Sequence, residues 1–428
     1  VVSSSFINQN EQTFINITSE IVYGSLIYKK TDSLFTANAF IEYQIINQNK
    51  QEDIVDTKQF PIEISSSINE YSYDQTTYRL EKEFPVNPGK YVVHVSVTDE
   101  NTGKQTTRTS EVFIPSLDTD LNNITNIRIF SKSSDQDAAF EPTTTYDLQS
   151  DHDSLKFVFQ VTNNNPNSPL TINSRLIRFE SDTTIARPMN YVNYSTGSIQ
   201  YKGIDYSEQE EINTSRRVLT DPGNVLIEFS FSSLERGNYR FEVTSTIDDE
   251  NELFKAREFS IKSPNYPSLR TSKELAAPLA YIMSDKEYKK LMSIEDSNEL
   301  KRAIDRFWLS NIKNSNKAKN VVELYYERVE EANKQFSGFK EGWKTDQGMM
   351  YILFGAPWYV DKSLNTVYWR YSYNSNDPEK NFYFEAPKIK NKYYPFDNYL
   401  LMRSQGYYTI QYQQIELWRT GFIINRSF

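Results

Sequence analysis

The sequence predicts a multi-domain, mainly β chain: two tandem β-sandwiches, then an α+β domain with helices first and an antiparallel sheet after. Three observations predict it. Short apolar runs, compact or alternating, recur between polar turns as far as residue 264. A hairpin-sized segment repeats at a near-constant offset. The apolar pattern then switches from period two to period 3.6.

Composition agrees. The 428 residues include 30 Tyr and 26 Phe but only 13 Gly. Aromatic and hydroxyl-bearing residues favour strands, and scarce Gly argues against a doubly wound, nucleotide-cradling fold. Apolar residues make up 38 %, enough for packed domains despite a mean hydropathy of −0.65. With 57 acids against 47 bases the net charge is −10, the wrong sign for a general nucleic-acid binder. The chain has no Cys and two His, which excludes disulfides, thiolate metal sites and cysteine nucleophiles. No run approaches the roughly 18 apolar residues of a spanning helix. The start at Val1, without Met or a signal-like apolar run, reads as a processed or trimmed end.

The first domain, 1–115, carries strand signals at Thr13–Ile17, Ser25–Tyr28, Ala39–Ile46, Ile62–Ser66, Tyr91–Val97 and Ser110–Ile114. The second, 116–264, carries them at Ile124–Ser131, Ser154–Thr162, Ile172–Phe179, Val225–Phe231, Tyr239–Ile247 and Ala256–Ile261, with long loops at Asn163–Pro169 and Tyr191–Arg217. Gly89-Lys90-Tyr91-Val92-Val93-His94-Val95 matches Gly237-Asn238-Tyr239-Arg240-Phe241-Glu242-Val243. An acidic turn and a return strand ending in proline follow each, at offsets of 148, 150 and 147 residues. Gly, Tyr and an alternating strand suit the closing hairpin of an immunoglobulin-like sandwich, so both domains are expected to be immunoglobulin-like.

The third domain, 265–428, opens after the linker Ser263-Pro264-Asn265-Tyr266-Pro267. Helices are expected at Ser284–Ser293, at Ser297–Ile312 with Leu300, Ile304, Phe307 and Trp308 on one face, and at Asn316–Phe336. Strands are expected at Met349–Phe354, Val367–Tyr373, Asn381–Glu385, Tyr399–Leu401 and Gln411–Trp418. The densest motif is Gly342-Trp343-Lys344-Thr345-Asp346-Gln347-Gly348, which reads as a turn bracketed by two Gly and anchored by Trp343. Gly355-Ala356-Pro357 would end the strand after it.

This stretch resembles the GWxTD-domain family, found widely in Bacteroidota. The likeness extends to Phe307-Trp308, to Tyr325-Tyr326-Glu327-Arg328-Val329-Glu330-Glu331-Ala332-Asn333, to Phe354-Gly355-x-Pro357 and to Tyr368-Trp369-Arg370-Tyr371. It covers about residues 275–390. The family often has Arg where Gln347 stands. Gly342, Trp343, Thr345, Asp346, Gly348, Gly355 and Pro357 are assigned to structure. Arg328 lies in the apolar stripe of its helix and needs a partner, for which Asp346 is the candidate.

Other chemistry is weak. His94 sits in a strand and His152 in the loop Asp151-His152-Asp153, neither near a nucleophile motif. Asp118-Thr119-Asp120-Leu121-Asn122 opens like a calcium loop but has Asn123 for the required Gly and Ile129 for the Glu. No Gly-rich phosphate loop occurs. No catalytic residue, metal ligand or cofactor site is therefore assigned. Trp343, Trp358, Tyr359, Trp369, Tyr371, Tyr373, Tyr383, Tyr393 and Tyr394 crowd the end of the chain. Buried, they fill a core; exposed, they stack on sugars or a peptide. Core is the favoured reading, with Trp358 and Tyr359 the pair expected to be exposed as a partner contact. Lys388, Lys390 and Lys392 read as a solvated loop.

The family resemblance implies a non-catalytic periplasmic protein, peripheral to the outer membrane. It would dock on an outer-membrane translocon or barrel protein and its periplasmic accessory proteins, closing the type IX secretion pore from the periplasmic side. The alternative is a glycan-binding envelope protein that uses the aromatic cluster.

Overall fold

The computed structural model describes all residues except 9, 49–52, 67–76, 117–121, 133–137, 150–153, 166–167, 199–202, 249–250, 375–379, 388–395 and 426–428. The calcium-like segment Asp118–Leu121, the His152 loop and the Lys388–Tyr394 stretch therefore lie outside the described residues. The fold is mainly β, with several antiparallel sheets and a C-terminal helical region. No helix among the described residues is long and apolar enough to cross a membrane.

Two sheets share the first core. Val2–Ile7, Thr13–Val22 and Thr77–Pro85 form one; Lys29–Thr31, Leu34–Asn47, Asp53–Ser66, Gly89–Asp99 and Gln105–Ile114 form the other. Alternation drives the pairing: Ile15, Ile17 and Phe84 from the first sheet meet Ile41, Tyr43, Val93 and Val112 from the second. A second pair of sheets encloses Phe157, Phe159, Leu176, Phe241 and Phe259. The two halves of the repeat form equivalent hairpins, Gly89–Asp99 with Gln105–Ile114 and Gly237–Asp248 with Asn251–Lys262. Both repeat tyrosines make the same bond: Tyr91 Oη donates to Asn87 O at 2.6 Å, and Tyr239 Oη to Glu235 O at 2.7 Å. Gln160 joins the halves, its side chain accepting from Ile7 N and donating to Ile7 O, each at 2.8 Å.

Among the described residues six α-helices follow: α1 (Ser272–Ala276), α2 (Asp285–Met292), α3 (Ser297–Ile312), α4 (Ser315–Phe336), α5 (Asp346–Phe354) and α6 (Tyr407–Thr420). Their N-termini are capped as composition allows: Ser284 accepts from Glu287 N, Asp296 from Glu299 N and Asn314 from Lys317 N. Leu300, Ile304, Phe307 and Trp308 are buried on α3, as their spacing predicts. A four-stranded antiparallel sheet (Tyr359–Lys362, Thr366–Arg370, Asn381–Glu385 and Leu400–Leu401) closes the third core.

Three expectations are corrected. Ser25–Tyr28 is not a strand: a 3₁₀ turn, Tyr23–Ser25, occupies its start. Met349–Phe354 and Gln411–Trp418 are helical, within α5 and α6. Met349, Met350, Ile352, Leu353 and Phe354 are all buried, so α5 has core on every side and shows no stripe. A short continuous apolar run cannot distinguish such a helix from a buried strand. In α6, Gln414 and Trp418 lie one turn apart and both donate to Leu353 O, at 2.6 and 3.0 Å.

Glu287 ties α2 to α6 through two hydrogen bonds from Arg419, at 2.9 and 3.0 Å. Those bonds hold its carboxyl at about 2, below the ordinary 4.5. A depressed carboxyl stabilises the fold above its unfolded pKa and loses that contribution as pH falls through the folded value. Glu287→Gln should cost under ~1 kcal/mol at pH 7, because the pair is partly solvated. Unfolding curves of variant and parent should converge as pH drops toward about 2.

Candidate functional site

The signature is a close-packed corner rather than a loop. Gly342–Lys344 forms one 3₁₀ turn, and Thr345 caps α5 by accepting from Gly348 N at 3.0 Å. Thr345 also donates to Gly342 O at 2.7 Å. The two glycines are required by proximity, not by left-handed backbone. A Cβ on Gly342 would lie 1.9 Å from Ala332 O, and one on Gly348 1.9 Å from Gly342 O. Trp343 is buried, as expected, and its N–H donates to Asn333 Oδ1 at 3.2 Å. Gly355, at φ 88°, ends α5 rather than a strand. Tyr371 Oη donates to Gly355 O at 2.8 Å.

These contacts explain the second motif on α4. Tyr325 Oη donates to Pro278 O at 2.6 Å, Ala332 supplies the carbonyl against which Gly342 packs, and Asn333 Nδ2 donates to Pro267 O at 2.9 Å. Arg328 does not pair with Asp346. Its Nη1 donates to Ile352 O at 3.2 Å, and the guanidinium lies 5.2 Å over the Trp418 ring. The carbonyl end of α5 supplies the negative potential for which the sequence suggested a carboxylate.

Asp346 instead holds Arg403. The pair is bidentate: Nη1 to Oδ2 and Nη2 to Oδ1, both 2.7 Å. Side-chain exposure is 1 % for Arg403 and 2 % for Asp346. Leu401 N donates a third bond to Asp346 Oδ2 at 2.8 Å. Arg403 also donates to Pro188 O and Arg187 O, at 3.1 Å each. Those carbonyls belong to the segment after the strand Leu170–Ser181, so the signature clamps a piece of the second β unit. Around it Lys340 Nζ donates to Thr184 O (2.8 Å), Ala186 N to Tyr281 Oη (3.3 Å), and Met189 N to Gln411 Oε1 (2.8 Å). Burial pushes the Tyr281 hydroxyl well up, so it stays protonated and donates to Trp343 O at 2.7 Å. Within the expected loop Tyr191–Arg217, the residues from Ile204 on belong to the sheet-edge strand Ile204–Leu219, and just before that loop Ala186 and Met189 pack against the third core. Arg403 and Met189 carried no sequence signal.

The aromatic crowd separates by strand alternation. Trp343, Trp369, Tyr371, Phe382 and Phe384 point into the core. The opposite side carries Tyr359, Tyr368 and Tyr383, with Trp358 and Tyr373 at the margin. Exposure is 40 % for Trp358, 50 % for Tyr359, 77 % for Tyr373 and 47 % for Tyr383. Tyr368 and Tyr383 face each other across the ladder with rings stacked at 4.0 Å. Trp358 and Tyr373 lie 4.9 Å apart, tilted by 54°. Arg370 covers Tyr359 at 5.5 Å. Tyr359–Lys362 is the edge strand, exposed along its whole length. Pro357 precedes this face. His94 lies half-buried in the strand Gly89–Asp99. Among the described residues no group of three or more His, Asp or Glu could hold a metal ion.

The fold and this corner define the class: a mainly β protein whose C-terminal unit of helices and sheet is built round a buried Gly-Trp-x-Thr-Asp turn. Residues 243–420 match the family model of the GWxTD domain. No curated protein matches. Among solved structures, a crystal structure of red sea bream transglutaminase shows 10 % identity and a TM-score of 0.19, over 58 % of this chain and 29 % of that one. The chain thus spans under a third of that structure's length.

Proposed function

We propose that this is a non-catalytic docking protein of the bacterial envelope, two immunoglobulin-like units and a GWxTD domain acting as one body. It works in the periplasm of a bacterium of the Bacteroidota, against an outer-membrane translocon or barrel protein, with closure of a type IX secretion pore the specific role. The observation that carries the docking reading is the outward aromatic face beside the open edge strand Tyr359–Lys362. Large rings with polar tips anchor protein interfaces. An unpaired strand edge offers main-chain donors and acceptors to a partner strand. The clamp supports the same reading, because a rigid body can block a pore without a reaction.

Ring geometry favours a protein partner over a glycan. Tyr368 and Tyr383 spend their facing surfaces on each other, and Trp358 and Tyr373 are not coplanar. The test is affinity purification of tagged parent and a Trp358→Ala/Tyr383→Ala variant from gently solubilised native envelopes. The parent should recover an outer-membrane barrel protein in near-stoichiometric amount, and the variant at least tenfold less. Equal recovery by both would remove this face from the reading. No barrel protein, together with retardation of the parent by polysaccharide in gels, would replace the reading by glycan binding.

A further inference from the structure

A second feature lies on the other side of the clamp. Between the strands Gly237–Asp248 and Asn251–Lys262 and the segment before the signature is a cavity of about 330 Å³. Its wall presents Arg178, Arg236, Lys262, Lys340 and Lys344 but one carboxylate, Glu341. Hydroxyls of Ser181, Thr183 and Ser260 complete the lining. A larger space of about 570 Å³ shares Arg178, Ser181, Thr183, Arg236 and Gly237 with it and is lined as well by Glu180, Glu208 and Glu210.

The charges do not balance. Lys262 is 3 % exposed and pairs with Asp147 at 3.2 Å. Glu341 alone serves both Lys344, at 2.8 Å, and Arg236. Lys340 is 9 % exposed, and its ammonium donates to a backbone carbonyl, Thr184 O, with no carboxylate within ion-pair distance among the described residues. Arg178 is matched by Glu235 and Glu210, which stand in solvent. Arg236 and Lys344 thus share one carboxylate, Lys262 has its own, and Lys340 has only Asp182, acting from beyond ion-pair distance. Isolated buried charges are costly, and a fold retains them where something compensates. Burial already lowers the Lys340 and Lys262 ammoniums, and burial with the nearby Arg236 brings Lys344 to about 8.

We infer that this cavity is a binding site for a dianionic oxyanion, a phosphate or a phosphate monoester, held by Arg236, Lys340 and Lys344 with the Ser181 and Thr183 hydroxyls. Guanidinium and ammonium donors suit the oxygens of such a group. The wider space would take the group to which the phosphate is esterified. Lys344 occupies the variable position of the signature, so the site lies on the same turn as the clamp. It does not depend on the docking reading.

Calorimetric titration of the intact chain at pH 7.5 tests this, using inorganic phosphate, sulfate and glucose 1-phosphate, with chloride at matched ionic strength. Saturable one-to-one binding of phosphate and sulfate is expected, weakened at least tenfold in both Arg236→Gln and Lys344→Gln. Arg236 is half-exposed, so its variant keeps the fold, which an unchanged unfolding midpoint verifies. Tighter binding of glucose 1-phosphate than of inorganic phosphate supports the site with the ester group in the wider space; equal affinity supports it with the phosphate read alone. No saturable heat, chloride reproducing the effect, or full affinity in both variants overturns the inference.

Discussion

Asp346→Asn and Arg403→Met should each cost the C-terminal unit about 3–5 kcal/mol, the usual result of removing one member of a buried ion pair. Loss of Asp346 leaves a buried guanidinium without its counter-charge. Loss of Arg403 leaves a buried carboxylate with one remaining donor, Leu401 N. The damage should spread, because Arg403 also holds the Arg187 and Pro188 carbonyls. Hydrogen exchange should therefore quicken around Ala186 and Met189 as well as at the start of α5. All five Trp lie between residues 308 and 418, so selective Trp fluorescence reads this unit apart from the first β unit. That separation matters because a chain with three cores need not unfold in one step.

Gly348→Ala should be as damaging for a different reason. Its new methyl would sit 1.9 Å from Gly342 O, a backbone atom that cannot swing aside. Overpacking usually costs about 1–3 kcal/mol where side chains can yield. Here the turn itself must open, so about 3 kcal/mol or more is expected. Gly342→Ala meets Ala332 O at the same distance and should behave alike. Gly197→Ala is the internal control, since nothing lies within 4 Å of its added Cβ. It should leave the Trp-fluorescence midpoint in urea within about 0.5 kcal/mol of the parent.

The sequence was most legible where one side of an element is wet. Helix α3 has the predicted limits because Leu300, Ile304, Phe307 and Trp308 mark one face against a charged background. The paired hairpins were readable because alternation and a Gly-x-Tyr entry recur together. Legibility failed where burial is complete. Helix α5 reads as a strand because Met349 to Phe354 is apolar but for Tyr351, and its cap, Thr345, doubles as a turn signal.

Within the signature, the two glycines were visible, but the cause, a backbone carbonyl packed against each (Ala332 O and Gly342 O), was not. The pairing of Arg328 with Asp346 followed from charge alone. The structure satisfies Arg328 with the carbonyl end of α5, which no sequence prints as a charge. Arg403, 57 residues beyond Asp346, could be found only once α5 and the strand Leu400–Leu401 were packed together. The exposed and buried rings separated as period-two alternation requires, once the ladder fixed which side Trp369 takes.

The central claim is that the signature works as a clamp, its residues acting through one another on the fold. A double-mutant cycle on Asp346→Asn and Arg403→Met, read by Trp fluorescence in urea, tests it most directly. The clamp predicts strong non-additivity: the double variant should be more stable than the sum of the single losses implies, by about 2 kcal/mol, since the second change removes a charge already stranded by the first. Losses that add within about 0.5 kcal/mol, or single variants as stable as the parent, would contradict the claim.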